Sequence, residues 1–330
     1  MYKFHINGKG SDWNFVNIVR DQLRADPEWE EVKDRKTAKN TQLDYCDLDQ
    51  YKPTVQNYIS ADAKFVNKDF LAERLNGSKH VPLTLIVRNG RMMRTKHRLT
   101  RINRNGKWFL KPSGGYGGTG INIFMGLNNY RHHLRRGTNY VLQQEVSQPM
   151  LYKGRKFDIR SFVAMVYYRD KYHLYLFPDS ICRVSLTRYQ KNSTNRNADL
   201  TNCTVQEKHA NYSTEKINKL MSNFPWYEEV LPKLKHIVGC CLRKMTPALK
   251  RPKGRKVVEV IALDTLLTQK KDLILLEVNR NVGYGYDRKP SYVVDMYKRM
   301  YRDLIDFSYI PFIKDESLAE PKEWLKCAVI

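Results

Sequence analysis

Three oxygen-bearing side chains in the last quarter of the chain sit where an acid is costly. Asp264 falls in Val-Val-Glu-Val-Ile-Ala-Leu-Asp264-Thr-Leu-Leu, and Glu277 and Asn279 fall in Leu-Ile-Leu-Leu-Glu277-Val-Asn279. A carboxylate inside strands this apolar must be paired or metal-bound. Period two puts Glu277 and Asn279 on one strand face. A hairpin turn centred near Lys270–Lys271 sets Asp264 opposite Glu277, and directly opposed Cβ atoms lie ~5 Å apart. Two carboxylates and an amide oxygen on one face suit Mg²⁺ held together with ATP phosphates. Simple pairing of one acid with a lysine is the competing reading; three donors in phase favour the metal.

A second chemical element is Lys111-Pro-Ser-Gly-Gly-Tyr-Gly-Gly-Thr-Gly120, with five glycines in ten residues. Glycine lets backbone amides approach phosphate oxygens with no Cβ in the way. Within it, Gly115, Gly117 and Gly120 spell G-x-G-x-x-G. A dinucleotide fold would follow that pattern with a helix and an acid ~20 residues on. Here a strand-like Ile121-Asn-Ile-Phe follows, and Arg135 and Arg136 stand where the acid belongs. The Walker ending of Lys and Ser/Thr is missing. Arg302-Asp303-Leu304 lacks the asparagine and the D-F-G of a protein kinase. The reading left is a loop that closes over a nucleotide triphosphate, with Gly114, Gly115, Gly117 and Gly118 as its phosphate-side glycines.

A third element is Arg155-Lys156-Phe157-Asp158-Ile159-Arg160. In a strand, Lys156, Asp158 and Arg160 share one face, and Phe157 and Ile159 point the other way. Lys156-x-Asp158 also matches the start of the K-x-D-G of nucleic-acid ligases, whose lysine takes a nucleotide covalently. The glycine that pattern needs is Ile159 here, which counts against it.

These residues require a scaffold, and the hydrophobic pattern supplies one. Strands are predicted at Val81–Val87, Gly106–Leu110, Tyr140–Val146, Asp158–Tyr168, Tyr172–Phe177, Val257–Leu267 and Leu273–Asn279. Helices are predicted after a Ser11 cap, with Phe15, Ile18, Val19 and Leu23 on one face, and over Pro232–Met245. A third begins at a Ser291 cap with Val294, Tyr297, Met300, Tyr301 and Leu304 inward. Gln190–Asn202 reads as a loop and Thr246–Lys256 as a basic connector. The class is mixed α/β (α+β) with late antiparallel hairpins, not the regular βαβ rhythm of a doubly wound sheet.

With 58 Lys and Arg against 34 Asp and Glu, the net charge is +24. Acidic partners follow: nucleic acid, an anionic membrane, nucleotide phosphates or an acidic protein tail. At 42% hydrophobic and 28% charged residues the composition is that of a globular protein. No apolar run approaches the ~20 residues of a membrane span. The opening Met1-Tyr-Lys-Phe-His-Ile-Asn-Gly has no apolar h-region, so no signal peptide is expected. The cysteines, Cys46, Cys182, Cys203, Cys240, Cys241 and Cys327, form no C-x-x-C pair and read as reduced thiols of a cytoplasmic protein.

Taken in order, the motifs resemble the tubulin–tyrosine ligase-like family. They are Trp108-Phe-Leu-Lys111-Pro with its glycine loop, Gly154-Arg-Lys156-Phe-Asp158-Ile-Arg160-Ser-Phe-Val, Leu200-Thr201-Asn202-Cys-Thr-Val-Gln, and Leu276-Glu277-Val-Asn279. Met1-Tyr-Lys-Phe and Asn57-Tyr-Ile-Ser-Ala-Asp-Ala-Lys64 resemble the tyrosine-ligase type. The resemblance implies an ATP-grasp fold of three lobes, over 1–60, 61–148 and 149–330. The nucleotide would lie between the central and C-terminal lobes. It implies a ligase for which ATP phosphorylates an acceptor carboxylate and an amino acid's amine displaces the phosphate. The implied partners are a free amino acid and an acidic protein such as a tubulin tail. A nucleic-acid ligase or nucleic-acid-binding protein that uses the +24 charge, or a glutamate- or glycine-adding relative, is the alternative.

By the same resemblance Lys64 and Lys111 contact ATP phosphates, and Gln143, Gln144, Glu145 and Val146 form the adenine hinge. Lys156, Asp158, Arg160 and Arg183 line the reacting centre, Thr201 and Asn202 lie near nucleotide and substrate, and Asp264, Glu277 and Asn279 hold Mg²⁺. The chain departs from the family at Gln144, where a lysine is common. It also departs at Lys289-Pro and the tyrosines around Gly283–Tyr286. The short chain favours the tyrosine-ligase type over the larger members.

Overall fold

The computed structural model of the chain describes residues 1–6, 14–32, 43–45, 55–56, 63–93, 102–249, 256–280, 282 and 288–330. Among these, two sheets carry the architecture. The larger has eleven strands, on a path β13-β12-β11-β14-β4-β3-β1-β2, with β10 on β11, β15 on β14 and β16 on β12. Its centre is a long antiparallel group: β11 (Arg155–Tyr168), β12 (Lys171–Val184), β14 (Lys256–Leu267) and β15 (Leu273–Asn279). The predicted hairpin is thus real and longer than its apolar runs suggested. The polar ends of β11 and β12 stay in the ladder because Asp158 faces Arg183 across it. Short β10 (Leu151–Tyr152), β13 (Asn218–Leu220) and β16 (Leu325–Val329) finish this sheet.

The first strands join the same sheet. β1 (Tyr2–Ile6), β2 (Trp29–Glu31), β3 (Leu43–Tyr45) and β4 (Val55–Gln56) pair in parallel, and β4 continues in parallel onto β14. Among the described residues, those before position 60 therefore do not build a sheet of their own. Their side chains share a core with the late elements: Phe4, Val19, Leu23 and Trp29 pack with Phe162, Phe177, Tyr297, Met300 and Leu304. Burying each such side chain contributes about 1.5–3 kcal/mol.

The smaller sheet is antiparallel throughout, in the order β6-β5-β9-β7-β8. Its strands are β5 (Thr84–Arg88), β6 (Arg91–Met92), β7 (Lys107–Pro112), β8 (Asn122–Met125) and β9 (Tyr140–Gln144). Leu85, Val87, Trp108, Leu110 and Leu142 form its separate core.

Helices cover the large sheet on both faces. α1 (Asn14–Arg24) lies beside α7 (Ser291–Leu304) on one. α2 (Lys68–Leu75) and α6 (Tyr227–Met245) lie on the other, where Phe70, Leu71, Leu234, Val238 and Leu242 meet Phe157, Ile159 and Leu275. Ile18, Val19 and Leu23 are buried as their spacing predicts, whereas Ser11 and the Phe15 side chain lie outside the described residues. Ser291 is the first residue of α7 and not its cap, which is Pro290. That shift buries Val293 and Met296 and leaves Val294 half-buried. The predicted loop Gln190–Asn202 holds a one-turn helix, α3 (Arg196–Asp199), capped by the Asn195 side chain, which accepts from the Asn197 amide. The turns α4 (Cys203–Gln206) and α5 (Thr214–Ile217) follow.

Candidate active site

A cleft opens between the smaller sheet, the glycine loop and the polar ends of β11, β12, β14 and β15. Period two along β7 places Lys107, Phe109 and Lys111 on one face, with Trp108 and Leu110 turned into the core. Lys111 is buried and donates to Gln143 Oε1 at 2.6 Å. Burial, opposed by Glu277 and reinforced by Lys68, pulls its pKa down to about 8. An ammonium held at such cost is poised for an anion.

The glycine loop is folded down onto the α3–α4 segment. The Thr204 hydroxyl donates to Gly117 O, and Arg196 donates to Ile121 O and, at 3.1 Å, to Gly118 O. Gly117 and Gly118 have φ of +61° and +73°. A Cβ on Gly118 would lie 3.0 Å from Asn202 Oδ1 and 3.1 Å from Val205. Glycine is required here for both reasons. Gly115, Gly117, Gly118, Thr201 and Asn202 line the cleft; Gly114 stands behind it, near Asn67.

Four charges meet at the floor. Arg183 grips Asp158 with two hydrogen bonds and reaches Asp264 Oδ2 at 2.9 Å. Arg160 grips Asp264 with two more, both 2.9 Å. Burial alone would raise the Asp264 pKa, but Arg160 and Arg183 together hold it far below the usual carboxylate range. Asp264 faces Glu277 in register, as the sequence predicts. The Asn279 amide lies 3.0 Å from Asp264 and 3.4 Å from Glu277. Glu277 also pairs with Lys68 Nζ at 3.3 Å. Both acids thus have cationic partners: Glu277 has the lysine of the competing expectation, and Asp264 has arginines.

The other wall carries Gln143, Gln144, Glu145 and Val146, all of which line the cleft. The strand itself stops at Gln144, so Glu145 and Val146 form the turn beyond it. Lys107, 2% exposed, lies 3.0 Å from Asp199 and 3.2 Å from Glu145. Lys156 lies 3.6 Å and 3.9 Å from the same two acids and 5.1 Å over the Phe109 ring. Burial pushes the Lys156 ammonium down and the Asp199 carboxyl up, so each partner's charge depends on the other. The Tyr189 hydroxyl donates to Glu145 at 2.9 Å and closes this network.

Sequence reasoning missed Lys68, Lys107, Asp199, Tyr189 and Arg196. Lys68 opens α2, donates to Gly115 O at 2.5 Å and lines the cleft, whereas the Lys64 side chain lies outside the described residues. The alternation Lys107-x-Phe109-x-Lys111 and the Asn195 cap were the signals for Lys107 and Asp199. Nothing local marked Tyr189 or Arg196, which bond the cleft residues Glu145 and Gly118 only through loop packing.

The sequence profile described as "Tubulin-tyrosine ligase family" matches residues 28–317. The tubulin polyglutamylase TTLL7 of Homo sapiens is 22% identical over 87% of this chain and 36% of its own length. The probable tubulin polyglutamylase TTLL2 of Homo sapiens is 23% identical over 80% of this chain and 48% of its own. Tubulin glycylase 3B of Tetrahymena thermophila is 24% identical over 61% and 18%. The chain therefore spans less than half the length of these curated relatives. The profile covers most of the chain, including every motif around the cleft, and the chain belongs to the tubulin–tyrosine ligase family.

Proposed function

We propose that this protein is an ATP-dependent carboxylate–amine ligase that attaches an amino acid to an acidic protein tail of the tubulin kind. The observation that carries the reading is the meeting of Lys111, Lys156, Arg183, Asp264 and Glu277 in one cleft beneath a docked glycine loop. The +24 charge supports an acidic protein partner. In this reading the smaller sheet belongs to a central lobe over 61–148 and the hairpins to a C-terminal lobe over 149–330. The segment 1–60 is a third lobe that borrows the edge of the large sheet. Nucleotide sits between the central and C-terminal lobes. The free cysteines Cys182, Cys203, Cys240, Cys241 and Cys327 fit a cytoplasmic setting.

Lys68 and Lys111 hold phosphate oxygens and the backbone of Gly115–Gly118 covers them. Gln143–Val146 receive the adenine. The acceptor carboxylate attacks the γ-phosphorus, the bridging P–O bond breaks, and ADP leaves with its electron pair. The amine then attacks the acyl carbon, phosphate departs, and the amine's proton ends on it. Arg160 and Arg183 face the charge that develops, held in place by Asp264 and Asp158. Family chemistry implies a divalent cation. The donor set fits it, because two opposed carboxylates and an amide meet at one point, and turning the Asn279 amide presents its oxygen. Asp264, Glu277 and Asn279 would hold Mg²⁺, which neutralises phosphate charge when bound.

The test is purified protein with Mg·ATP, tubulin and labelled tyrosine, glutamate or glycine in turn. Label enters tubulin, and ADP and phosphate are released. An AMP adduct on Lys156 by intact mass, with pyrophosphate released, overturns the reading in favour of nucleotidyl transfer.

A further inference from the structure

Away from the cleft, the loop after α2 brings a second set of donors together. His80 lies in that loop, and His236 and Cys240 lie on α6. The nitrogen and sulfur atoms they offer all fall within 4.8 Å of one another. His236 and Cys240 are four residues apart on a helix, so they present one face. The two imidazole rings stand 5.6 Å apart at 57°. The Cys240 thiol makes only long contacts, 3.6 Å to Ile237 O and 3.9 Å to Cys241 Sγ. It is therefore not committed to a strong acceptor. His80 is set by its backbone: its carbonyl accepts from Leu275 N at 2.7 Å and its amide donates to Ser78 Oγ at 3.3 Å.

We propose that His80, His236 and Cys240 form a binding site for a borderline-soft divalent cation of the Zn²⁺ class. Two imidazoles and a thiolate match that class, and the absence of oxygen donors among the three disfavours Mg²⁺ or Ca²⁺. Zinc holds nitrogen at about 2.0–2.1 Å and sulfur at about 2.3 Å, so the three donor atoms must draw in by about 1 Å. The His236 side chain is exposed and free to make that adjustment. A fourth position is left for water or for Asp272, which lines the same cavity as His80 and His236. Lys79 and Lys244 act on His80 with positive charge and Asp272 with negative. The thiolate and Asp272 offset the two lysines. The bound cation clips the loop after α2 to α6. That loop also supports the cleft wall, since Leu83 O accepts from Gln144 N at 2.9 Å and the Asn76 amide bridges to Thr84 O at 2.6 Å.

The experiment is a titration of the reduced, metal-stripped full chain with Co²⁺ and then Zn²⁺. The expected result is a near-ultraviolet thiolate-to-cobalt band with tetrahedral visible bands at one equivalent, bleached by Zn²⁺. Cobalt held by Asp264 and Glu277 has only oxygen donors and gives no thiolate band. Cys240→Ser removes the near-ultraviolet band. His236→Ala, on an exposed helix face, weakens Zn²⁺ binding by more than about 100-fold, beyond what loss of an outer-shell partner does. Circular dichroism establishes that both variants remain folded. Absence of the thiolate band in the unaltered protein, or its persistence in Cys240→Ser, overturns the proposal.

Discussion

Lys111 is buried without a carboxylate of its own, and this sets how nucleotide binding should respond to pH. Burial is the largest influence on it and brings its pKa from 10.5 to about 8. A displacement of that size is roughly 3 kcal/mol of disfavoured charge in the nucleotide-free protein. The folded pKa lies below the unfolded one, so the protonated form costs stability. That cost is full below about pH 8 and is relieved as pH rises from there toward 10.5. ATP phosphates reverse the balance by stabilising the ammonium, and binding then draws a proton from solution. Lys111 is about 90% charged at pH 7 and about 10% charged at pH 9. ATP affinity should therefore fall about tenfold across that interval, with about half a proton taken up per ATP near pH 8. Calorimetry at three pH values, in two buffers of different ionisation enthalpy, reads both quantities. Lys111→Arg keeps its charge throughout, so it should flatten the profile and abolish the uptake. That control separates Lys111 from the nucleotide's own titration and from Lys156, which burial shifts in the same direction. Equal affinity at pH 7 and 9, or the same profile in Lys111→Arg, would refute the placement of Lys111 on phosphate.

Glu277→Gln removes one of two opposed carboxylates and should abolish ATP turnover while the circular dichroism spectrum is retained; turnover at the unaltered rate would remove the metal assignment. Gly118→Ala forces a side chain into φ +73° and against Asn202. The loop should lift, ATP affinity should fall, and Gly117–Gly118 should become more accessible to protease; unchanged affinity would make the docked loop irrelevant to binding. Asp199→Asn leaves Lys107 and Lys156 with Glu145 as their remaining carboxylate. Removing one partner from a buried charge network costs about 3–5 kcal/mol, so the urea midpoint should drop at constant slope, and a midpoint within error of the parent would mean water already reaches these lysines.

The sequence by itself determined what short-range periodicity can carry. Alternation along Arg155–Arg160 and Leu273–Asn279 showed which residues share a face, and the turn near Lys270–Lys271 set Asp264 against Glu277, because in a hairpin register follows from turn position. Five glycines in ten residues marked the loop, since a backbone at positive φ tolerates few other residues. Tertiary structure decided the rest. Arg160 and Arg183 share Asp264 only because β11 lies between β12 and β14, an order no local pattern records. Lys68 meets Glu277 because α2 packs against β15. The strands β1–β4 joined the large sheet through β4 on β14, a parallel pairing some two hundred residues apart in the chain. Lys107 and Asp199 met across ninety-two positions. The charged pairings are fixed by burial at a shared interface, and their energy depends on neighbours that the sequence keeps far apart.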